Sequence, residues 1–150
     1  MGEVARTFSK GDRTPPLSKT ITQEAINVFE RSAGARGPSQ FTDEETARSV
    51  LGTSSTIASG RMSLSFGTEL LRRFFGPELY NRHGMVDLRF LRPLRPGDTA
   101  TFVGTVIDVT RVADGCQVTM NVQATNQNGD ITAAGSGSCI VPSLWMPEEQ

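Results

Sequence analysis

The sequence predicts an α+β domain in which a curved antiparallel sheet wraps around one long apolar helix. Three observations predict it. Residues 60 to 75 hold the longest apolar pattern of helical period, with Met62, Phe66, Leu70 and Phe74 four residues apart. Residues 85 to 141 read as four strands in succession, joined by short turns. A single sheet of that kind has one apolar face, and no other element is long and apolar enough to cover it.

Residues 1–16 are polar, end in Pro15-Pro16, and read as an extended lead-in. Leu17 to Ile21 is a short strand. Thr22 caps a helix to about Ala33, with Gln23 and Glu24 in its first turn and Ile26 and Phe29 as inner contacts. Gly34 to Ser39 is a loop, and Thr42-Asp-Glu-Glu45 reads as a capping box opening a short helix to about Leu51. Gly52 to Ser59 is a second loop. The long helix follows over about 60–75, with Gly67, Leu71 and Phe75 beside its apolar stripe and Ser65, Glu69, Arg72 and Arg73 opposite. Gly76-Pro77 ends it. Beyond Pro77 no helix is predicted.

Met85 to Phe90 is a strand, and Pro93 to Asp98 a turn. Thr99 to Thr110 alternates through Phe102, Val106 and Val109, and Cys116 to Thr125 through Val118, Met120 and Val122. Asp114-Gly115 and Asn128-Gly129 are hairpin signals, the second leading into Ile131 to Val141. The run Gly135-Ser-Gly-Ser138 lies inside this last strand and reads as close backbone packing. The four strands are expected to form a meander. The chain divides into a lead-in (1–16), one domain (17–142) and a tail (143–150). A curved sheet around one long helix is the hotdog architecture.

Composition limits the partners. The 150 residues sum to a net charge of −1, with a pI of about 5.8, so nothing favours nucleic acid or an anionic membrane. Thirteen of the fifteen cations are Arg, a bias suited to bidentate grip on carboxylate or phosphate. No apolar run approaches the roughly 18–20 residues of a membrane helix, and the N-terminal segment lacks a secretory apolar region. The Met1-Gly2 opening has Arg6 where myristoylation wants Ser or Thr. Cys116 and Cys139 are too few and too far apart for a disulfide framework or a zinc knuckle, and read as reduced thiols in a cytoplasmic protein. No phosphate loop, metal spacing or nucleophile elbow occurs, so no metal and no cofactor is expected.

The runs ASGRMSLSFGTELLRRFFG, MVDLRFLRPLRPGDTATFVGTV and NQNGDITAAGSGSCIVP resemble the MaoC-like dehydratase family, R-specific enoyl-CoA hydratases among them. The most specific piece is Arg89-Phe-Leu-Arg-Pro-Leu-Arg-Pro-Gly-Asp98, and the likeness covers roughly residues 7 to 142. The resemblance implies a hotdog protein that adds or removes water on acyl thioesters of coenzyme A or acyl carrier protein. In that family the chemistry uses an Asp and a His in a D-x-N-P-x-H-x-D-like loop. Here the loop reads Arg36-Gly-Pro-Ser-Gln-Phe-Thr-Asp43. Without gaps, Arg36 stands at the Asp and Phe41 at the His; shifted by one, Ala35 and Gln40 stand there. Without gaps only the trailing Asp43 matches. Neither register holds an acid–base pair.

Hydration of an enoyl thioester needs a base for water, an acid for carbon and donors for the enolate oxygen. The third requirement is open to the start of the long helix, where backbone N–H groups and the positive end of the dipole meet. Gly60 matches the family position whose N–H contacts the thioester carbonyl; alternatively it only permits the turn into the helix. The catalytic candidates are therefore Gly60, Asp43, Gln40 and His83, each set against a structural alternative. Asp43 suits a first helical turn by its charge alone. Gln40 can position a substrate or water but is no base. His83 is the only histidine, on a connection where nothing nearby in sequence orients it. The substrate-binding candidates are Arg36 and Phe41 on the loop, and Ser59, Arg61 and Met62 at the helix start. Arg61 is suited to a carboxylate or phosphate, or else to solvent or a dimer face.

The expected function is a divergent hydro-lyase, or another enolate or oxyanion chemistry, on an acyl-thioester-like or compact carbonyl substrate. Two alternatives stand beside it: a non-catalytic hotdog subunit paired with a competent homologue, and an acyl-thioester hydrolase, which needs a carboxylate at the pocket. An open sheet leaves an edge strand unpaired, so a homodimer or a heterodimer with a similar chain is expected.

Overall fold

A computed structural model describes residues 6–145. The Met1-Gly2 opening and residues 146–150 of the expected tail lie outside the described residues. The elements run β1 (Leu17–Thr20), α1 (Gln23–Ser32), α2 (Glu44–Leu51), α3 (Gly60–Phe75), α4 (Pro77–His83), β2 (Met85–Phe90), β3 (Thr99–Val112), β4 (Gly115–Thr125) and β5 (Ile131–Val141), then a 3₁₀ turn at Ser143–Trp145. The five strands form one antiparallel sheet in the order β1-β3-β4-β5-β2.

Local chemistry explains most boundaries. Thr22 caps α1 by accepting from Ala25 N at 3.0 Å. The α2 cap falls one residue later than the capping box predicts. Asp43 Oδ2 accepts from Thr46 N at 2.9 Å and Thr46 Oγ1 at 2.7 Å, while Thr42 Oγ1 is taken up by Ser39 N at 3.1 Å. The strict four-residue stripe of α3 is also turned slightly. Met62, Ser63, Gly67, Leu70, Leu71 and Phe75 are buried, whereas Phe66 and Phe74 are half-buried at the margin. Phe66 meets Phe102 edge-on at 5.9 Å.

Two expectations are corrected. The chain is helical after Pro77: Pro stands at the first helical position of α4, where its missing N–H has no intrahelical acceptor to lose, and Tyr80 buries the helix. The four strands are also not one meander. Only β3, β4 and β5 follow one another; β2 lies beyond β5 at the far edge, with Met85 opposite Ser138 and Phe90 opposite Ala133. Residues 91–98 carry the chain back across the sheet end, pinned by buried Leu94, whose carbonyl accepts from Ala58 N at 2.8 Å. This placement lets Val86 and Leu88 of β2 lie against Gly67 of α3.

The glycines of β5 fulfil the close-packing expectation. A Cβ on Gly135 would stand 1.9 Å from Asp87 O, and one on Gly137 2.5 Å from Leu71 Cδ1. The lead-in and the turn after β5 join the same core. Phe8 is buried against Phe74, Phe75 and Trp145, and its N–H donates to Trp145 O at 3.2 Å. Cys116 and Cys139 are buried and unbridged, and burial pushes the Cys139 thiol up to about 11. Among the described residues no helix is long and apolar enough to cross a membrane. The architecture is the hotdog fold.

Candidate active site

The start of α3 is where the two loops meet. Ser59 occupies the N-cap with extended backbone, but its side chain does not cap; its buried Oγ has no hydrogen-bond partner among the described residues. The N–H groups of Gly60 and Arg61 lie too early in the helix to find an intrahelical acceptor. Gly60 borders a cavity of about 220 Å³ together with Ile57, Ser63, Phe90 and Leu94. The Phe90 ring covers Gly60 so closely that a Cβ would stand 2.7 Å from two ring carbons. Gly60 does not have a positive φ. Glycine here leaves the Phe90 ring room to lie on the helix start, and the turn into the helix does not demand it.

Gln23 of α1 ties the surrounding loops together. Its Nε2 donates to Phe41 O at 2.9 Å and to Asn27 Oδ1 at 2.9 Å, and its Oε1 accepts from the buried Thr56 hydroxyl. Ile57 N donates to Gln40 O at 3.4 Å. The loop of residues 36–43 is thereby laid against the residues that lead into α3.

The remaining candidates separate. Phe41 is half-buried against the core, and Met62 is buried within it. Arg36 is exposed on its loop. Asp43 is engaged in capping α2, and its hydrogen bonds from Thr46 hold its carboxyl below the usual carboxylate range. His83 is exposed in the last turn of α4. From there β2 runs back along α3 to Phe90, so about 20 Å of strand separates His83 from Gly60.

Sequence reasoning missed Glu30. It is 2% exposed, and its Oε2 accepts from Arg61 Nη2 at 3.1 Å, joining α1 to the second residue of α3. Its Oε1 is buried with no partner among the described residues. The available signal was its position four residues after Ile26, on the inner stripe of α1. Arg61 is accordingly anchored to Glu30, though its side chain stays 58% exposed. Among the described residues no group of three or more His, Cys, Asp and Glu gathers as a metal site. What the arrangement offers is donor groups for a developing oxyanion, beside a loop without an Asp/His pair.

A sheet wrapped on α3, with the helix start open to a cavity and covered by two loops, defines a hotdog protein. The MaoC like domain matches residues 9–128, and the chain belongs to that family. Three solved structures show the same fold. The chain is similar to the (R)-hydratase from A. caviae involved in PHA biosynthesis, with 20% identity, 92% of this chain and 100% of that chain covered, and a TM-score of 0.73. It is similar to the MaoC-like dehydratase from Rhodospirillum rubrum, with 26% identity, 89% and 92% covered, and a TM-score of 0.67. It is also similar to the HadBC (3R-hydroxyacyl-ACP dehydratase) complex from Mycobacterium tuberculosis, with 20% identity, 91% and 99% covered, and a TM-score of 0.70. No protein of curated description matches the chain.

Proposed function

We propose that the chain is a divergent MaoC-like hydro-lyase that works through an enolate, on an acyl thioester of coenzyme A or acyl carrier protein. The observation that carries the reading is the start of α3. Gly60 combines an N–H without an intrahelical acceptor, the positive end of a sixteen-residue helix and the wall of a cavity. Donors fixed in that way lower the energy of the oxyanion without reorganising when it forms. The thioester oxygen is the group whose charge grows as Cα loses a proton. Arg36, Phe41 and Gln40 do not exchange protons at neutral pH, so they line and position the acyl group rather than act as acid or base.

The test is exchange at Cα. Incubated with butyryl-CoA in D₂O, the purified chain should incorporate deuterium at Cα above the buffer rate, read by mass spectrometry. Binding of butyryl-CoA without any exchange would overturn the reading.

A second reading is favoured by one observation: β2 is an edge strand with Met85, Phe90 and the following Leu91 exposed at 65%, 48% and 57%. A chain without the Asp/His pair that docks such an edge on a competent homologue would serve as a structural subunit, and the similar HadBC structure is a complex. Either arrangement satisfies the open edge. Sedimentation of the chain at micromolar concentration should give a dimer, or a dimer once a similar chain is added; a monomer under both conditions would exclude pairing. Thioester hydrolysis is not supported by Asp43, whose Oδ2 is already occupied by Thr46.

A further inference from the structure

We propose that Glu30 is the carboxylate that moves the substrate proton, replacing from α1 what the loop lacks. The inference rests on the reading of the α3 start as an oxyanion site. Three observations single out Glu30. It is the only carboxylate among the buried polar and charged side chains of the described residues. Only one of its oxygens is used: Oε2 by Arg61, the neighbour of Gly60, while Oε1 is buried without a partner. It also borders a cavity of about 280 Å³ with Asn27, Arg31, Ala35, Gly37 and Thr42, the last three belonging to the loop that carries the family motif elsewhere. The loop side of this cavity is walled by small side chains, which leaves room for an acyl group beside the carboxylate.

Burying a carboxylate costs several kcal/mol unless its oxygens are hydrogen-bonded, and a pair with one oxygen left bare is a poor stabiliser. The arrangement fits a carboxylate held in place by Arg61 and left free to take a proton. In the exchange reaction the Glu30 carboxylate takes the proton from Cα, and the C–H electron pair moves through the Cα–carbonyl bond onto the thioester oxygen at Gly60. Return of a solvent-derived proton from the carboxyl to Cα restores the thioester. In hydration the same group takes a proton from water as the water oxygen bonds to Cβ, then delivers a proton to Cα of the enolate; the sum is addition of one H₂O.

The experiment compares the parent chain with Glu30→Gln and Glu30→Asp for butyryl-CoA binding and for deuterium uptake at Cα. Gln keeps the shape and an acceptor for Arg61 but cannot take a proton. The proposal expects Glu30→Gln to bind butyryl-CoA within about twofold of the parent and to lose about 10²–10⁴-fold in exchange. It expects Glu30→Asp, which retains the carboxylate, to exchange faster than the Gln variant. Exchange by Glu30→Gln at the parent rate, or equal rates for the Gln and Asp variants, would make Glu30 a structural anchor for Arg61 and overturn the proposal while the oxyanion reading stands. A parent chain that binds butyryl-CoA without exchange overturns both.

Discussion

Crotonyl-CoA should be hydrated by the purified chain at least about 10²-fold more slowly than by a MaoC-like hydratase that keeps the Asp and His of the loop. General acid and base groups each contribute about 10²–10⁴-fold, and here both positions are filled by residues that cannot serve. The Arg36 guanidinium and the Phe41 phenyl ring offer no acceptor for a proton; in the shifted register Ala35 and Gln40 do no better. Two features of the structure reinforce the expectation. Asp43, which matches the motif's trailing Asp in the ungapped register, is committed to the α2 cap, and His83 lies at the opposite end of α3 from Gly60. A steady-state absorbance assay of the chain alone checks this. Turnover comparable to a complete MaoC-like hydratase would contradict the loss of the pair and would require a second proton-transfer group at the site.

Leu71→Ala should destabilise the fold by about 2–5 kcal/mol in denaturant titration, the range for a fully buried Leu. Leu71 is 0% exposed, and its Cδ1 fills the space a Cβ on Gly137 would otherwise take. The contact is reciprocal, which gives the substitution a second readout. Gly137→Ala alone pushes on Leu71, whereas in the Leu71→Ala chain the added methyl enters the space just vacated. The two substitutions should therefore be non-additive, the double variant being more stable than the sum predicts. A cost below about 0.5 kcal/mol for Leu71→Ala would mean that α3 is not seated in the sheet.

The parts of the fold legible in sequence are those set by local chemistry. Thr22 and the Gly76-Pro77 pair mark helix ends, Asp114-Gly115 and Asn128-Gly129 mark hairpins, and the apolar period of residues 60 to 75 fixes α3. What was not legible depends on distant partners. The placement of β2 beside β5 follows from the packing of Val86 and Leu88 on Gly67, which no local period reveals. The α4 helix was hidden because Pro77 reads equally as a stop for one helix and a first residue for the next. The site divides in the same way. The missing Asp/His pair is visible because the loop motif is contiguous, and Gly60 because it opens a helix. Glu30 was hidden because its partner Arg61 is thirty-one residues away, and Phe90 because only the return of β2 along α3 brings its ring over Gly60.

The central claim is that the start of α3 receives the thioester oxygen, and a crystal structure of the chain with butyryl-CoA tests it most directly. The account predicts the thioester oxygen about 2.7–3.1 Å from the backbone nitrogen of Gly60. It further predicts that the Phe90 ring lies over the acyl group and that the loop of residues 36–43 flanks it. A well-ordered thioester seated elsewhere, such as the cavity of about 410 Å³ between Pro16, Leu70, Arg73 and Phe74, with Gly60 N–H untouched, would contradict it.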